Sequence, residues 1–272
     1  MNEASINVAY KRWALFFIVV LNACMFPGWA QPKQYTVADA HAHNDYEHPL
    51  PFYTAFNAGF GSIEADVFPV NGVLCVAHNR QAIMPQRTLP NLYLQPLLKE
   101  LTKNHARKLN LLIDIKENYK ASLDLLIKEL EPLQKYLVGI KGSTAQVTIL
   151  ISGERPPPAA YSNYPAYIFF DDDLRHFHSS VQWSRVGLVS LSFERYSHWN
   201  GQTQISIGDS NVLMHVVDSV HNAGKPIRFW AAPDNEQSWN LQMHLGVDLI
   251  GTDKIKELAE ELRKGGLKKT SR

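Results

Sequence analysis

Residues 38–79 read ADAHAHNDYEHPLPFYTAFNAGFGSIEADVFPVNGVLCVAHN. Two histidines stand one residue apart (His41, His43), two carboxylates stand one residue apart (Glu64, Asp66), and a further histidine, His78, comes near the end. Each group falls at or near the end of an apolar run with strand character. Successive side chains on a strand alternate faces, so Glu64 and Asp66 point to the same side. Imidazoles and carboxylates gathered at strand ends are how a parallel barrel assembles a metal-assisted site.

Outward from this stretch, the chain alternates short apolar runs with amphipathic segments. Residues 36–43 form the first expected strand, 51–58 a short helix stopped by Gly59, and 62–67 the second strand. Asn71-Gly72 marks a turn, after which 73–78 returns as an extended piece. A helix over 92–108 leads to LNLLIDI at 109–115, an almost continuously apolar strand of the kind buried on both faces. Leu123, Leu126, Ile127, Leu130 and Leu133 recur at helical spacing and predict a helix over 121–136. Further strands are expected at 146–151, 166–170, 186–191, 226–230 and 247–250. Helices are expected at 211–223 and 239–245 and from the last strand to about residue 263. With 73–78 taken as an addition to the second unit, about eight strand–helix units result. That count points to a single-domain α/β fold, a TIM-type (β/α)8 barrel, with an open doubly wound sheet as the alternative. No Gly-rich fingerprint follows the first strand and no P-loop occurs, which argues against nucleotide cofactors.

The 272 residues carry 27 basic and 26 acidic side chains, a net charge of +1, so charge gives no case for a nucleic-acid partner. Hydrophobic residues make up 45%, enough for a substantial core. Lys11 and Arg12 precede an apolar run over 13–24, followed by Gly28-Trp29-Ala30. This is the pattern of a cleaved signal peptide, so residues 1–30 are expected to be removed and the product exported to a periplasmic or secreted location. An uncleaved anchor and lipidation at Cys24 are the alternatives. On this division, residues 31–265 form the barrel domain without a transmembrane segment, and 266–272 a basic tail. The only cysteines are Cys24 and Cys75. Once Cys24 is removed no internal disulfide is available, and Cys75 reads as a buried inert thiol.

At the strand ends, Glu64, Asp66 and Asp114 form a hard oxygen set suited to Mg²⁺ or Ca²⁺. An ion held there would neutralise a phosphate oxygen. His43 or His41 on one side and His78 on the other would exchange protons with the nucleophile and the leaving oxygen. Lys116 would add a positive charge beside the phosphate. Arg228, inside the strand at 226–230, has two open roles: phosphate contact, or an internal ion pair with a barrel carboxylate. Asn44, in the same run as the histidines, joins Lys116 and Arg228 among the groups expected to meet substrate. Trp230 and Trp239 read first as packing aromatics, and Glu154 and Arg155 are weaker candidates. The stretch at 192–210 is long enough for a lid or recognition loop. Each feature taken singly has an ordinary structural explanation. Their convergence on one edge of a barrel carries the functional reading.

The order His, then Glu64-Ala65-Asp66-Val67, then Gly, then an apolar strand ending in His78, resembles the glycerophosphodiester phosphodiesterases and the wider phosphatidylinositol phospholipase C-like superfamily. Their pattern runs HRG, ENT, IE-x-DV, DG, HD and later NIEIK. The NIEIK carboxylate falls on Asp114 and its lysine on Lys116, and the HRG histidine falls within HAHND, where both His41 and His43 stand. ENT is absent and His78-Asn79 replaces HD, departures that touch the alcohol-binding part of the pocket more than the metal site. A closer likeness is to the branch named for altered inheritance of mitochondria, through HAHNDY at 41–46, RTLPNLYLQPL at 87–97, RFWAAPD at 228–234 and GTD at 251–253. The resemblance implies a TIM-type barrel, a divalent metal and hydrolysis of a small phosphodiester or phospholipid-derived substrate.

Two other functions remain open from sequence. A zinc-dependent amidohydrolase-like barrel would also use H-x-H on the first strand and Asp253 after the last, but histidines at the ends of the fifth and sixth strands are missing. A non-catalytic exported binding protein on the same barrel is the other.

Overall fold

A computed structural model describes residues 34–103 and 107–265. The expected signal peptide, Cys24 and the basic tail at 266–272 lie outside the described residues. Among the described residues nine strands form one sheet: β1 (Ala40–Ala42), β2 (Ser62–Val70), β3 (Val73–Val76), β4 (Leu109–Ile115), β5 (Val147–Gly153), β6 (Ile168–Asp172), β7 (Val186–Ser192), β8 (Ile227–Trp230) and β9 (Ile250–Thr252). Eight run parallel in the order β8-β7-β6-β5-β4-β2-β1-β9. A single parallel bridge between Arg228 and Leu249 brings the two ends together, giving a nearly closed eight-stranded barrel. β3 lies outside this path, antiparallel to β2 through the Asn71-Gly72 turn. It is the predicted addition to the second unit.

The two-residue period of the strands divides the barrel into an apolar outside and a mixed lumen. Ile63, Ala65 and Val67 of β2, Leu111, Ile113 and Ile115 of β4, and Ile149 and Ile151 of β5 all belong to the large core under the helices. The intervening positions face inward. A separate small cluster of Leu112, Leu150, Leu188 and Leu249, with Phe169 against it, plugs the lumen. Two residues further along β4, β5 and β7 the side chains are Asp114, Ser152 and Ser190. The strands thus change from leucine to polar residues toward their C-terminal ends, the end where such barrels carry their sites.

The helices are α1 (Tyr53–Ala58), α2 (Gln95–Thr102), α3 (Tyr119–Glu129), α4 (Ser180–Ser184), α5 (Ile207–Asn222), α6 (Glu236–Leu245) and α7 (Ile255–Arg263). The helix expected at 121–136 is divided. α3 ends at Glu129 and a 3-10 segment runs over Glu131–Tyr136, because Pro132 has no N–H to continue the α ladder. The helix expected at 92–108 is shorter, a π turn over Pro90–Leu94 running into α2. The first strand is also shorter than expected. Asp39 accepts from the Thr36 N–H at 2.8 Å and folds residues 37–39 into a 3-10 turn. The last strand begins at Ile250 rather than 247, because the Val247 N–H turns back to Gln242 O. Among the described residues no helix is long and apolar enough to cross a membrane.

Candidate active site

Register places the carboxylates. Asp66 on β2 pairs with Asp114 on β4, which pairs with Ser152 on β5. In-register neighbours share a face, so these three side chains stand in one layer, with Glu64 one layer deeper. One oxygen each from Glu64, Asp66 and Asp114 lies within 4.8 Å of the others, and no histidine belongs to the group. Asp66 Oδ1 is buried without a hydrogen-bond partner. Gly153 follows Ser152 at φ +69°, and a Cβ there would fall 2.0 Å from Asp114 Oδ1. Glycine therefore leaves room for the Asp114 carboxylate where any side chain would displace it. An orphaned carboxylate oxygen in an all-oxygen set suits a hard divalent cation, so the residues fit such an ion.

Two cations already balance part of this charge. Lys116 Nζ reaches Asp66 Oδ2 at 2.7 Å and Asp114 Oδ2 at 3.1 Å. Burial works against its charge, but the Asp114 and Asp66 carboxylates outweigh it and hold the ammonium protonated. Arg228 Nη1 donates to Glu64 Oε2 at 3.0 Å, and its Nε donates to Ser190 Oγ at 2.7 Å. Of the two roles open for Arg228, the structure shows the internal ion pair, with the residue only 5% exposed. Burial would raise the Glu64 pKa, but Arg228 and His41 hold it well below the usual carboxylate range. Burial and the neighbouring Glu64 charge push Asp66 up to about 6, against the pull of Lys116. Asp114 is raised for the same reasons.

The three histidines have different surroundings. His41 is fully buried on β1, with Nδ1 2.8 Å from Ser62 Oγ and Nε2 2.8 Å from Glu64 Oε2 and against Arg228 Nη1. Burial and the Arg228 charge lower its pKa to about 4. Either neutral tautomer therefore has both ring nitrogens engaged. His43 sits at the rim, with Nδ1 donating to Asp253 Oδ1 at 2.8 Å and the side chain 42% exposed. Burial would lower its pKa, but the bond to Asp253 outweighs it and raises the value. His78 is 59% exposed, and its Nδ1 lies 3.8 Å from Asp66 Oδ2. Its Nδ1 is 3.1 Å from Tyr46 Oη, which donates to Asp66 Oδ2 at 2.6 Å. Asn44 Nδ2 lies 3.3 Å from Asp253 Oδ1, and Asn44 Oδ1 lies against the Tyr46 hydroxyl, so this side chain spans the two histidine surroundings.

A cleft of about 300 Å³ opens over the cluster. His43, Glu64, Asp114 and Arg228 line it, as do Asp171, Ser190 and Trp230 on the opposite wall. His78, Asp66 and Lys116 do not line it. Trp230 is 47% exposed into this space, whereas Trp239 is buried and donates from Nε1 to Asp234 Oδ1. Arg155 lines the cleft and pairs with Asp173 at 3.3 Å, and Glu154 is not among the lining residues. Sequence reasoning missed Asp253 as the partner of His43, Tyr46 as the link from His78 to Asp66, and Asp171 as a wall residue. Asp253 and Asp171 both stand at strand ends, so the rule that located Asp114 also points to them.

A family model described as "AIM6-like phosphodiesterase domain" matches residues 33–108. A second, "Glycerophosphoryl diester phosphodiesterase family", matches residues 226–255. The "Altered inheritance of mitochondria protein 6 homolog" of Arthroderma benhamiae is 32% identical over 256 residues, covering 79% of this chain and 81% of that protein. "Altered inheritance of mitochondria protein 6" of Lachancea thermotolerans is 25% identical over 279 residues, covering 82% of this chain and 65% of that protein. Among solved structures, a glycerophosphodiester phosphodiesterase from Parabacteroides distasonis superposes with a TM-score of 0.53 at 13% identity. The match covers 86% of this chain and 98% of that one, a likeness of fold.

Proposed function

Since the chain belongs to the family of altered inheritance of mitochondria protein 6, with its AIM6-like phosphodiesterase domain, we propose that it is a divalent-metal-dependent phosphodiester hydrolase. The observation that carries this reading is the convergence of Glu64, Asp66 and Asp114 beside a rim histidine held by a carboxylate. Glu64, Asp66 and Asp114 would hold the ion, with Mg²⁺ or Ca²⁺ favoured by oxygen-only donors. When bound, the ion supplies positive charge to a phosphate oxygen.

The protein groups supply the proton chemistry. His43 lines the cleft while Asp253 fixes its Nδ1–H and leaves Nε2 for proton transfer, the arrangement of a general base that then returns the proton as an acid. His78, tied to Asp66 through Tyr46, is the second proton-transfer group. Lys116 and Arg228 act from within the carboxylate layers, offsetting charge and fixing Asp66, Asp114 and Glu64. His41 is assigned to positioning Glu64, because both of its nitrogens are engaged. Asn44 steadies Asp253 and Tyr46 at the mouth. Substrates of the glycerophosphodiester or lipid-head-group type are the class this reading favours, and the N-terminal pattern supports an exported location.

The test is a panel of glycerophosphodiesters, lipid head-group diesters and bis-p-nitrophenyl phosphate, assayed with Mg²⁺, Ca²⁺ and Zn²⁺ in turn. Turnover with Mg²⁺ or Ca²⁺ that chelation abolishes is the expected result. No hydrolysis of any diester under the three ions would overturn the proposal. Tightly held stoichiometric zinc would move it toward the amidohydrolase chemistry.

A further inference from the structure

Two of the sequence motifs, HAHNDY at 41–46 and RTLPNLYLQPL at 87–97, meet in the structure. Arg87 Nη2 donates to the Tyr46 carbonyl oxygen, and Tyr93 Oη donates to Asp45 Oδ2 at 3.0 Å. None of these four residues lines the cleft, so their effect on it passes through other groups. The second motif is itself fixed. The Val76 N–H donates to Arg87 O at 2.7 Å and Cys75 bridges to Thr88, which ties the segment to β3, the strand that leads to His78. Tyr93 lies within the π turn Pro90–Leu94, a rare backbone form that is frequent at functional sites.

The loop that opens with the first motif is strained. Asn44 and Phe52 stand at φ +49° and +64°, unfavourable values for residues other than glycine. Such conformations persist only where the surroundings over-determine them. Asp45 supplies part of that constraint. It is fully buried, and its Oδ2 accepts from the Phe52 N–H as well as from Tyr93. Its Oδ1 is buried without a hydrogen-bond partner, a cost that an apolar residue would avoid.

The residue held by this arrangement is Tyr46, itself 2% exposed. Its hydroxyl donates to Asp66 Oδ2 at 2.6 Å, and Lys116 Nζ reaches the same oxygen at 2.7 Å. Both donors occupy one oxygen of Asp66, and the other, Oδ1, is the one left without a partner in the carboxylate cluster.

We propose that Arg87, Asp45 and Tyr93 are positioning residues for the ion site, which hold Tyr46 so that its hydroxyl pins Asp66 Oδ2 and leaves Oδ1 for the cation. This inference rests on the ion site assigned above. Arg87 fixes the main chain at Tyr46, and Tyr93 fixes the residue before it through Asp45, so the ring reaches Asp66 from a set origin. Without the hydroxyl, the Asp66 carboxylate loses one of the two donors that set its rotation, and the ion loses an oriented ligand oxygen.

The test is calorimetric titration of Mg²⁺ into the chelator-stripped full chain, beside the melting temperature of each variant. Tyr46→Phe removes only the hydroxyl and should weaken Mg²⁺ binding by about tenfold, the scale of losing a ligand's hydrogen-bond partner. Arg87→Ala should weaken binding by a similar factor. Arg87→Lys keeps a donor for the Tyr46 carbonyl and should recover most of that loss. In the Tyr46→Phe background, Arg87→Ala should cost less than about twofold more, because both changes act through one hydroxyl. Tyr93→Phe provides the same comparison if Arg87→Ala does not fold. Wild-type affinity in Tyr46→Phe overturns the inference, as do losses from Arg87→Ala and Tyr46→Phe that multiply. A lowered melting temperature with unchanged Mg²⁺ affinity in Arg87→Ala also overturns it, leaving these bonds to the fold alone. Failure of the wild-type chain to bind Mg²⁺ would count against the ion site itself, and the inference would fall with it.

Discussion

His43 Nδ1 and Asp253 Oδ1 meet at 2.8 Å across 210 residues of chain. β1 and β9 are adjacent parallel strands whose last residues, Ala42 and Thr252, are paired, and each is followed directly by one member of the pair. The bond leaves Nε2 as the working nitrogen of His43 and raises its pKa despite burial.

Replacing Asp253 with Asn removes the charge that sustains protonated His43. The limb of the pH–rate profile governed by His43 should then move to lower pH. Turnover should fall by about a hundredfold or more, the scale of losing an oriented acid–base group. An unmoved limb with undiminished kcat would separate Asp253 from the chemistry.

His41 and His43 are expected to fail in different ways. His41→Ala removes a fully buried ring from between Ser62, Glu64 and Arg228, and should destabilise the fold by about 2–4 kcal/mol. His43→Ala, at a half-exposed rim position, should leave the melting temperature close to wild type and abolish hydrolysis. Thermal melts and rates on the two variants check this together. The reverse pattern would transfer the catalytic role to His41.

Gly153→Ala should lower divalent-ion affinity without any change of ligand. Its Cβ would fall 2.0 Å from Asp114 Oδ1, and the position is held at positive φ. Ion titration would show about a tenfold weaker dissociation constant, the size of effect seen when a ligand's support is disturbed. Wild-type affinity would mean that Asp114 is not a ligand.

Glu129 provides a stability prediction remote from the cleft. Burial pushes its carboxyl up to about 7, although the Leu74 N–H donates to it at 3.0 Å. For an acid with a raised folded pKa, the penalty is absent below the unfolded value of about 4.3 and grows as pH rises through the folded value. Glu129→Gln keeps an acceptor for Leu74. It should raise the melting temperature at pH 8 and have little effect at pH 4. A variant equally stable or less stable at pH 8 would contradict this.

Much of this architecture was legible because strand parity is a local property. Glu64 and Asp66 share a face whatever the rest of the chain does, and the apolar run at 109–115 has to be buried on both sides. The hairpin addition was legible from Asn71-Gly72 for the same reason. The identity of each partner is not local. Arg228 had two open roles until Glu64 and Ser190 were placed on either side of its guanidinium. His41 and His43 differ by one turn of the strand period, and only the closure of β1 between β2 and β9 buries one more deeply than the other. The helix expected through Pro132 failed because the leucine period continues past a residue that cannot donate its hydrogen bond.

The central claim is that hydrolysis depends on an ion held by Glu64, Asp66 and Asp114. Its most direct test is phosphodiester turnover during titration of Mg²⁺ into the chelator-stripped full chain, beside Asp114→Asn. The account predicts no turnover before addition and saturable recovery in wild type. It also predicts a half-saturating Mg²⁺ concentration at least about tenfold higher in the variant. Full turnover by the stripped wild-type chain would contradict it.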